Sequence, residues 1–235
     1  MPGYFQLGNG TRVGIVGAGP AGCFFALYLY KFARHAGISP KVTLYQDRPF
    51  ETCGPAGCKG CAGVLSQSVI RNLEELGLKI PPEVIQSKIE RYAVHSPHLS
   101  LSISNPDKET EIISVYRGAG PGHGELNNSA SFDGWLLGEV KRQGTEIVTQ
   151  KVEGIIYGGK PYIKAVGESR EFDLVVLTGG VNGPKLRVSG LRYRPPRTIP
   201  VAVTELVGDG EKSQQPVGNT AHAFLIPHIN IFFGS

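Results

Sequence analysis

The chain has 235 residues, 40% of them hydrophobic and 19% charged, with a formal net charge of +4. That length holds roughly one and a half average domains and can bury a real core, and the composition belongs to a folded protein rather than a disordered one. The charges are scattered and include no long basic run, so nucleic-acid binding has no support.

Glycine, at 32 residues, is about twice as frequent as usual. It shows no collagen period, so it serves turns and close backbone approaches. Four cysteines do not make a disulfide scaffold. Residues 13–30 carry no charge, a length that invites a membrane span. Gly14, Gly17, Gly19, Pro20 and Gly22 break that stretch, so a soluble, cytoplasmic protein is the expectation.

In chain order, Arg12 to Val16 is a short β-rich run ending at Gly17. From Ala21 to Ala36 the apolar period turns helical, and Gly37 supplies the stop. Lys41 to Tyr45 is a second strand, which completes a βαβ unit. Residues 46–64 are irregular and rich in Gly and Cys. Ser66 to Leu76 predicts an amphipathic helix stopped by Gly77, and Pro81-Pro82 starts a short helical turn. The period then changes to two. Residues 92–94, 99–103 and 111–116 predict an antiparallel insert with a turn at Asn105-Pro106-Asp107.

A glycine-rich loop at 117–130 precedes a helix marked by Phe132, Trp135, Leu136 and Val140. Strands follow at 145–149 and 151–157, and Gly158-Gly159 turns into a hairpin partner at 161–166. Phe172 to Thr178 is a continuous apolar run, the pattern of a buried parallel strand. Further strands are expected at 200–207, 221–226 and 229–233. The sequence stops inside the last of these without a polar tail, which reads as an incomplete domain or, alternatively, as a terminal strand.

The segment VGIVGAGPAG contains Gly17-x-Gly19-x-x-Gly22 between a strand and a helix. Gly17 permits the tight turn, Gly19 lets backbone amides reach a pyrophosphate, and Gly22 lets the helix pack on the strand. The helix N-terminus, opened by Pro20 and Ala21, offers free N–H groups to phosphate. An acidic residue is expected at the end of the second strand to hold a ribose. Gln46 stands there instead, followed by Asp47 and Arg48. Gln46 can still bond ribose hydroxyls, and Asp47 is either a ribose partner or a solvated loop charge.

GAGPAG, with Pro20, resembles the fingerprint of FAD-binding flavoproteins rather than NAD dehydrogenases. SFDGWLLGEVKRQG (131–144) and FDLVVLTGGVNG (172–183) resemble two further motifs of the flavin monooxygenase and geranylgeranyl reductase superfamily. CKGCAGVLSQSVIRNLEELGL (58–78) is similar to the geranylgeranyl reductase branch. The resemblance runs from about residue 11 to 185. It implies an α/β fold: a Rossmann-like FAD-binding domain with an inserted antiparallel β-sheet, C-terminally truncated. Residues 1–80 and 115–190 would form the FAD domain, and 81–114 and 191–235 part of a substrate-domain sheet. The implied function is FAD-dependent oxidoreduction, with isoprenoid C=C reduction as the leading chemistry. The alternatives are a flavin monooxygenase or a non-catalytic nucleotide-binding or redox-sensing module.

The sequence also departs from the superfamily pattern. Gly179-Gly180 replaces the expected Asp-Gly, the expected arginine before the FD helix is Arg117, displaced by a loop, and the third flavin motif is absent. Cys58-x-x-Cys61, with Cys53 nearby, admits a zinc site, a redox dithiol or a close-packed loop lining the flavin pocket. The resemblance favours the last, with Cys58 and Cys61 as candidate catalytic residues. Cys23 reads as plain core. The implied partners are a small-molecule substrate, with a prenyl chain as one candidate, and an electron donor, NAD(P)H or ferredoxin. Peripheral membrane association belongs to the same expectation.

Overall fold

The computed structural model describes residues 5–54, 63–104, 110–120, 130–180, 186–190, 197, 219–226 and 229–233. The elements begin with β1 (Arg12–Val16), α1 (Pro20–His35), β2 (Lys41–Gln46), β3 (Val64–Leu65) and α2 (Gln67–Glu75). After a 3-10 turn at Pro82–Val84 come β4 (Ile85–Lys88), β5 (Arg91–His95), β6 (Ser100–Ser104), β7 (Ile113–Val115) and α3 (Phe132–Arg142). The remaining strands are β8 (Glu146–Thr149), β9 (Val152–Ile156), β10 (Tyr162–Ala165), β11 (Glu168–Glu171), β12 (Leu174–Leu177), β13 (Arg187–Ser189), β14 (Thr220–Ile226) and β15 (Ile229–Phe233).

The described residues fall into two compact units, one from Met1–Arg48 and Trp135–Val201, the other from Pro49–Gly134 and Ala202–Ser235. In the first, β12, β1, β2 and β8 form a parallel sheet in that order. Val13 and Ile15 of β1 and Val42 and Leu44 of β2 are buried, because β1 and β2 are flanked by strands and covered on both faces. Burying a side chain of this size stabilises by about 1.5–3 kcal/mol. The helix α1 buries Cys23, Ala26, Leu29 and Ala33. It ends in a left-handed Gly37, with Ile38 N–H bonded to Ala33 O and Gly37 N–H to Arg34 O, a Schellman closure that satisfies two terminal carbonyls.

A second sheet of this unit runs β11-β10-β9-β13, antiparallel except for β13 beside β9. Val16, Tyr45 and Val148 of the parallel sheet share one core with Val152, Ile155, Ile163 and Phe172. A β-carbon at Gly14 would come within 2.6 Å of Ile163 and 2.9 Å of Phe172, so glycine on β1 is what lets this packing close.

The other unit holds an antiparallel sheet, β3-β7-β4, and a four-stranded sheet, β15-β14-β5-β6. In the latter β14 runs parallel to β5, while β5–β6 and β14–β15 are antiparallel. One face of this sheet carries Tyr92, Leu101 and Ile103, all exposed.

Several expectations need adjustment. The run 172–178 is parallel to β1, as its composition predicts, but its strand is the sheet's outer one among the described residues and only partly buried. Continuous apolarity therefore overstated its burial, since an outer strand has a partner on one side only. The strand expected at 111–116 does not join the β5–β6 hairpin; β7 pairs with β3 and β4. The two compact units part in the chain at 48/49, 134/135 and 201/202, and the second of these divisions falls inside α3. The turn at 105–107 and the strand at 200–207 lie outside the described residues.

Candidate functional site

The four parallel strands end together on one edge. From β1 the chain moves through α1 to β2 on one side, and β12 returns to the other side. Such a reversal of strand order opens a crevice at the carboxyl ends, where open α/β sheets take their ligands. Gly17 follows β1 here, Gln46 ends β2, Gln150 follows β8, and Thr178, Gly179 and Gly180 follow β12.

The β1–α1 turn is built so that its carbonyls face inward. Thr178 N–H donates to Val16 O at 2.8 Å, and the Thr178 hydroxyl donates to Gly17 O at 2.8 Å. The Cys23 thiol donates to Ala18 O at 3.2 Å, and Cys23 N–H to Gly19 O at 3.1 Å. In a trans peptide the N–H points opposite to the C=O. With Gly17 O and Ala18 O turned inward, the amides of Ala18 and Gly19 therefore point outward.

Gly19 caps α1 with no side-chain bond, Pro20 takes the first helical position, and no acidic residue sits in the first turn. The first-turn N–H groups have no acceptor within the helix, and the helix dipole adds positive potential there. This donor set suits a pyrophosphate.

Two glycines make the cradle. Gly17 has φ +111°, and a β-carbon on it would come within 2.6 Å of Thr178 O. A β-carbon on Gly22 would drive into the Gly17 carbonyl and meet the Thr178 hydroxyl at 2.8 Å. The residues thus fit a dinucleotide pyrophosphate sterically and in their hydrogen-bonding sense. Gln46 adds a third fit: its Oε1 is buried without a hydrogen-bond partner, at the position expected to hold ribose.

The structure brings together Gly17, Gly19, Pro20, Ala21, Gly22, Gln46, Gly179 and Gly180 at this edge. Asp47 is exposed just past β2, and Arg48 is half-buried beside it. Arg117 belongs to the other unit. Its Nε and Nη2 grip the fully buried Asp133 carboxylate at 3.0 and 2.7 Å. Cys58 and Cys61 lie outside the described residues; Cys53 is half-buried, its thiol donating to Ala119 O at 3.2 Å. Among the described residues no group of three or more His, Cys, Asp or Glu side chains is placed to hold a metal.

Sequence reasoning missed two supports of the turn. Thr178 is visible only as the last residue before Gly179-Gly180, and Cys23 reads as core although its thiol also fixes the turn. It also missed a histidine pair. His95 Nε2 and His222 Nδ1 lie 2.9 Å apart in rings inclined by only 8°, so one imidazole donates to the other. Parallel pairing of β5 and β14 makes this contact, and sequence distance hides it.

No protein-family model matches the sequence, and no curated protein matches it. Solved structures do match by fold. Against 2-methyl-3-hydroxypyridine-5-carboxylic acid oxygenase the TM-score is 0.62 at 17% identity, over 97% of this chain and 56% of the other. Against a geranylgeranyl bacteriochlorophyll reductase-like protein from Thermoplasma acidophilum it is 0.52 at 17% identity, over 92% and 50%. Against a tryptophan C-6 flavin-dependent halogenase of taromycin biosynthesis it is 0.50 at 14% identity, over 73% and 43%.

The chain spans about half the length of these proteins or somewhat less. The shared architecture is a mixed α/β fold on a parallel, Rossmann-type sheet, common to a reductase-like protein, an oxygenase and a flavin-dependent halogenase. No helix among the described residues is long and apolar enough to cross a membrane.

Proposed function

We propose that the chain is the FAD-binding part of a flavin-dependent oxidoreductase. The observation that carries this reading is the turn at 17–22, whose carbonyls are tied inward and whose glycines leave no room for a β-carbon. Ala18 and Gly19 amides and the first turn of α1 would hold the pyrophosphate. Gln46 would take a ribose hydroxyl. Thr178, by donating to Gly17 O, keeps the amides aimed outward. Bound FAD would supply hydride-transfer chemistry, and the protein orients it and shields it from water.

For the substrate, reduction of an isoprenoid C=C bond rests on the resemblance of 58–78 to the geranylgeranyl reductase branch. Monooxygenation is the second reading, and the partners expected with either are a small organic substrate and an electron donor such as NAD(P)H or ferredoxin. In both readings the unit containing β1, β2, β8 and β12 is the nucleotide-holding part.

The test is FAD titration of the 235-residue chain, followed by flavin fluorescence quenching. Wild type is expected to bind. Gly22→Val is expected to show no measurable binding, and Thr178→Val to bind about tenfold more weakly, the worth of one hydrogen bond. Wild-type affinity retained in Gly22→Val would sink the reading.

A further inference from the structure

The strand β6 is an edge strand that carries none of the usual guards. Among the described residues it pairs on one side only, with β5, and all five of its residues are exposed. Sheet edges are normally blunted by charged residues, proline or a bulge, because their free N–H and C=O groups template pairing with another chain. Here Ser100-Leu101-Ser102-Ile103-Ser104 has no charge, no proline and no glycine, and its register with β5 runs without a shift. Leu101 and Ile103 are 54% and 51% exposed, and they share a face with Tyr92, the β5 partner of Ile103.

The turn between β5 and β6 settles which backbone groups of β6 are free. Ser96 N–H donates to Leu99 O at 2.7 Å. Bonded and non-bonded pairs alternate along an antiparallel ladder. Stepping out from 96/99, Val94–Leu101 and Tyr92–Ile103 are therefore the bonded pairs. Ser100, Ser102 and Ser104 turn their N–H and C=O groups away from β5. We propose that these groups pair with β6 of a second copy of this chain, antiparallel about a two-fold axis at Ser102. That register sets Ser102 against the partner's Ser102 and Ser100 against the partner's Ser104, and each such pair exchanges both of its N–H···O bonds. Leu101 meets the partner's Ile103 in the non-bonded pairs, where side chains stand closest.

The occupant is a second copy because the strand is complementary to itself. Pairing about Ser102 puts serine on serine and apolar on apolar, with no charge on either side. The centre is fixed by the same pattern. A two-fold at Leu101 would set Ser104 against His98 in the turn, and one at Ile103 would set Ser100 against Pro106, which has no N–H. A centre at Ser102 pairs every outward-facing serine of the strand. The two-fold occupies both β6 edges, so this assembly stops at two copies. A single strand pair is small beside the roughly 1,200–2,000 Å² of a stable interface, so the dimer is weak and forms as concentration rises.

The experiment is analytical ultracentrifugation of the 235-residue chain from low to high micromolar concentration, on wild type and on variants that melt cooperatively. The wild-type mass is expected to rise from that of one chain towards twice that value. Ser102→Pro removes an outward N–H, leaves the bonded pairs with β5 in place and is expected to stay at one chain. Ser100→Glu/Ser104→Glu sets like charges opposite each other and is also expected to stay at one chain. Ser100→Lys/Ser104→Glu sets opposite charges there and is expected to dimerise at least as tightly as wild type. A wild type with the mass of one chain at every concentration overturns the proposal. Growth beyond two copies overturns it as well, since a closed two-fold leaves no β6 edge open. Dimers that persist in both Ser102→Pro and Ser100→Glu/Ser104→Glu place the contact elsewhere and overturn it, and equal behaviour of the two double variants overturns the register.

Discussion

Tyr45 shows how a single side chain ties the parallel sheet to its neighbour. Its ring is buried and meets Phe172 edge-on at 6.2 Å, and its hydroxyl reaches toward Glu168. Burial, with the Glu168 carboxylate close by, pushes its phenol up to about 12. In the unfolded chain a tyrosine ionises near ~10. The folded state therefore stays protonated where the unfolded chain loses its proton, and Tyr45's contribution is fully present below about pH 10 and fades as pH rises toward 12. Thermal melts between pH 8 and 12 should show this alkaline loss in wild type and a shallower one in Tyr45→Phe. Identical slopes would mean that the phenol does not report on folding.

At the scale of elements, the start of α3 depends on one ion pair. Asp133 lies in its first turn, with no exposure, and takes a two-point grip from Arg117. The Ser131 hydroxyl donates to Arg117 O and accepts from Gly134 N–H, and Phe132 N–H donates to Tyr116 O. The segment before the helix is thus fixed to the segment after β7. Removing one member of a buried pair leaves an uncompensated charge, at a cost of about 3–5 kcal/mol, whereas replacing both by apolar groups is often neutral. Chemical denaturation should accordingly find Arg117→Leu destabilised by about 3 kcal/mol, with much of that recovered in Arg117→Leu/Asp133→Leu. If the double variant is no better than the single one, the arginine matters through something other than this pair.

At the scale of the whole molecule, the residues proposed to hold the nucleotide belong to the unit with the parallel sheet, although they come from positions as far apart as 17 and 180. Hydrogen exchange should therefore respond to FAD in a discontinuous pattern. Protection is expected to rise at 17–22, 46–48 and 178–180, where backbone flanks the proposed contacts, and to change little at 85–88 and 100–104. Protection spread evenly over both units would indicate global stabilisation by ligand rather than a site at this edge.

The βαβ unit was legible in the sequence because its signals are local. The short β-rich run at 12–16, the 3.6 period from 21, Gly37 and the VTLY run each act within a few residues, and β1, α1 and β2 follow them closely. The amphipathic helix at 66–76 and the strands at 220–226 and 229–233 were legible for the same reason. By itself the sequence determined that a glycine turn leads from a strand into a helix and that Gln46 replaces an acid. Tertiary structure alone decided that Thr178, some 160 residues from Gly17, donates to its carbonyl. It likewise decided that Gln46 stands in register with Thr149 and that His95 meets His222. Strand neighbours are chosen by the burial of whole faces and by hydrogen bonds between distant segments. Those terms depend on which surfaces meet, and no local period in the chain encodes them.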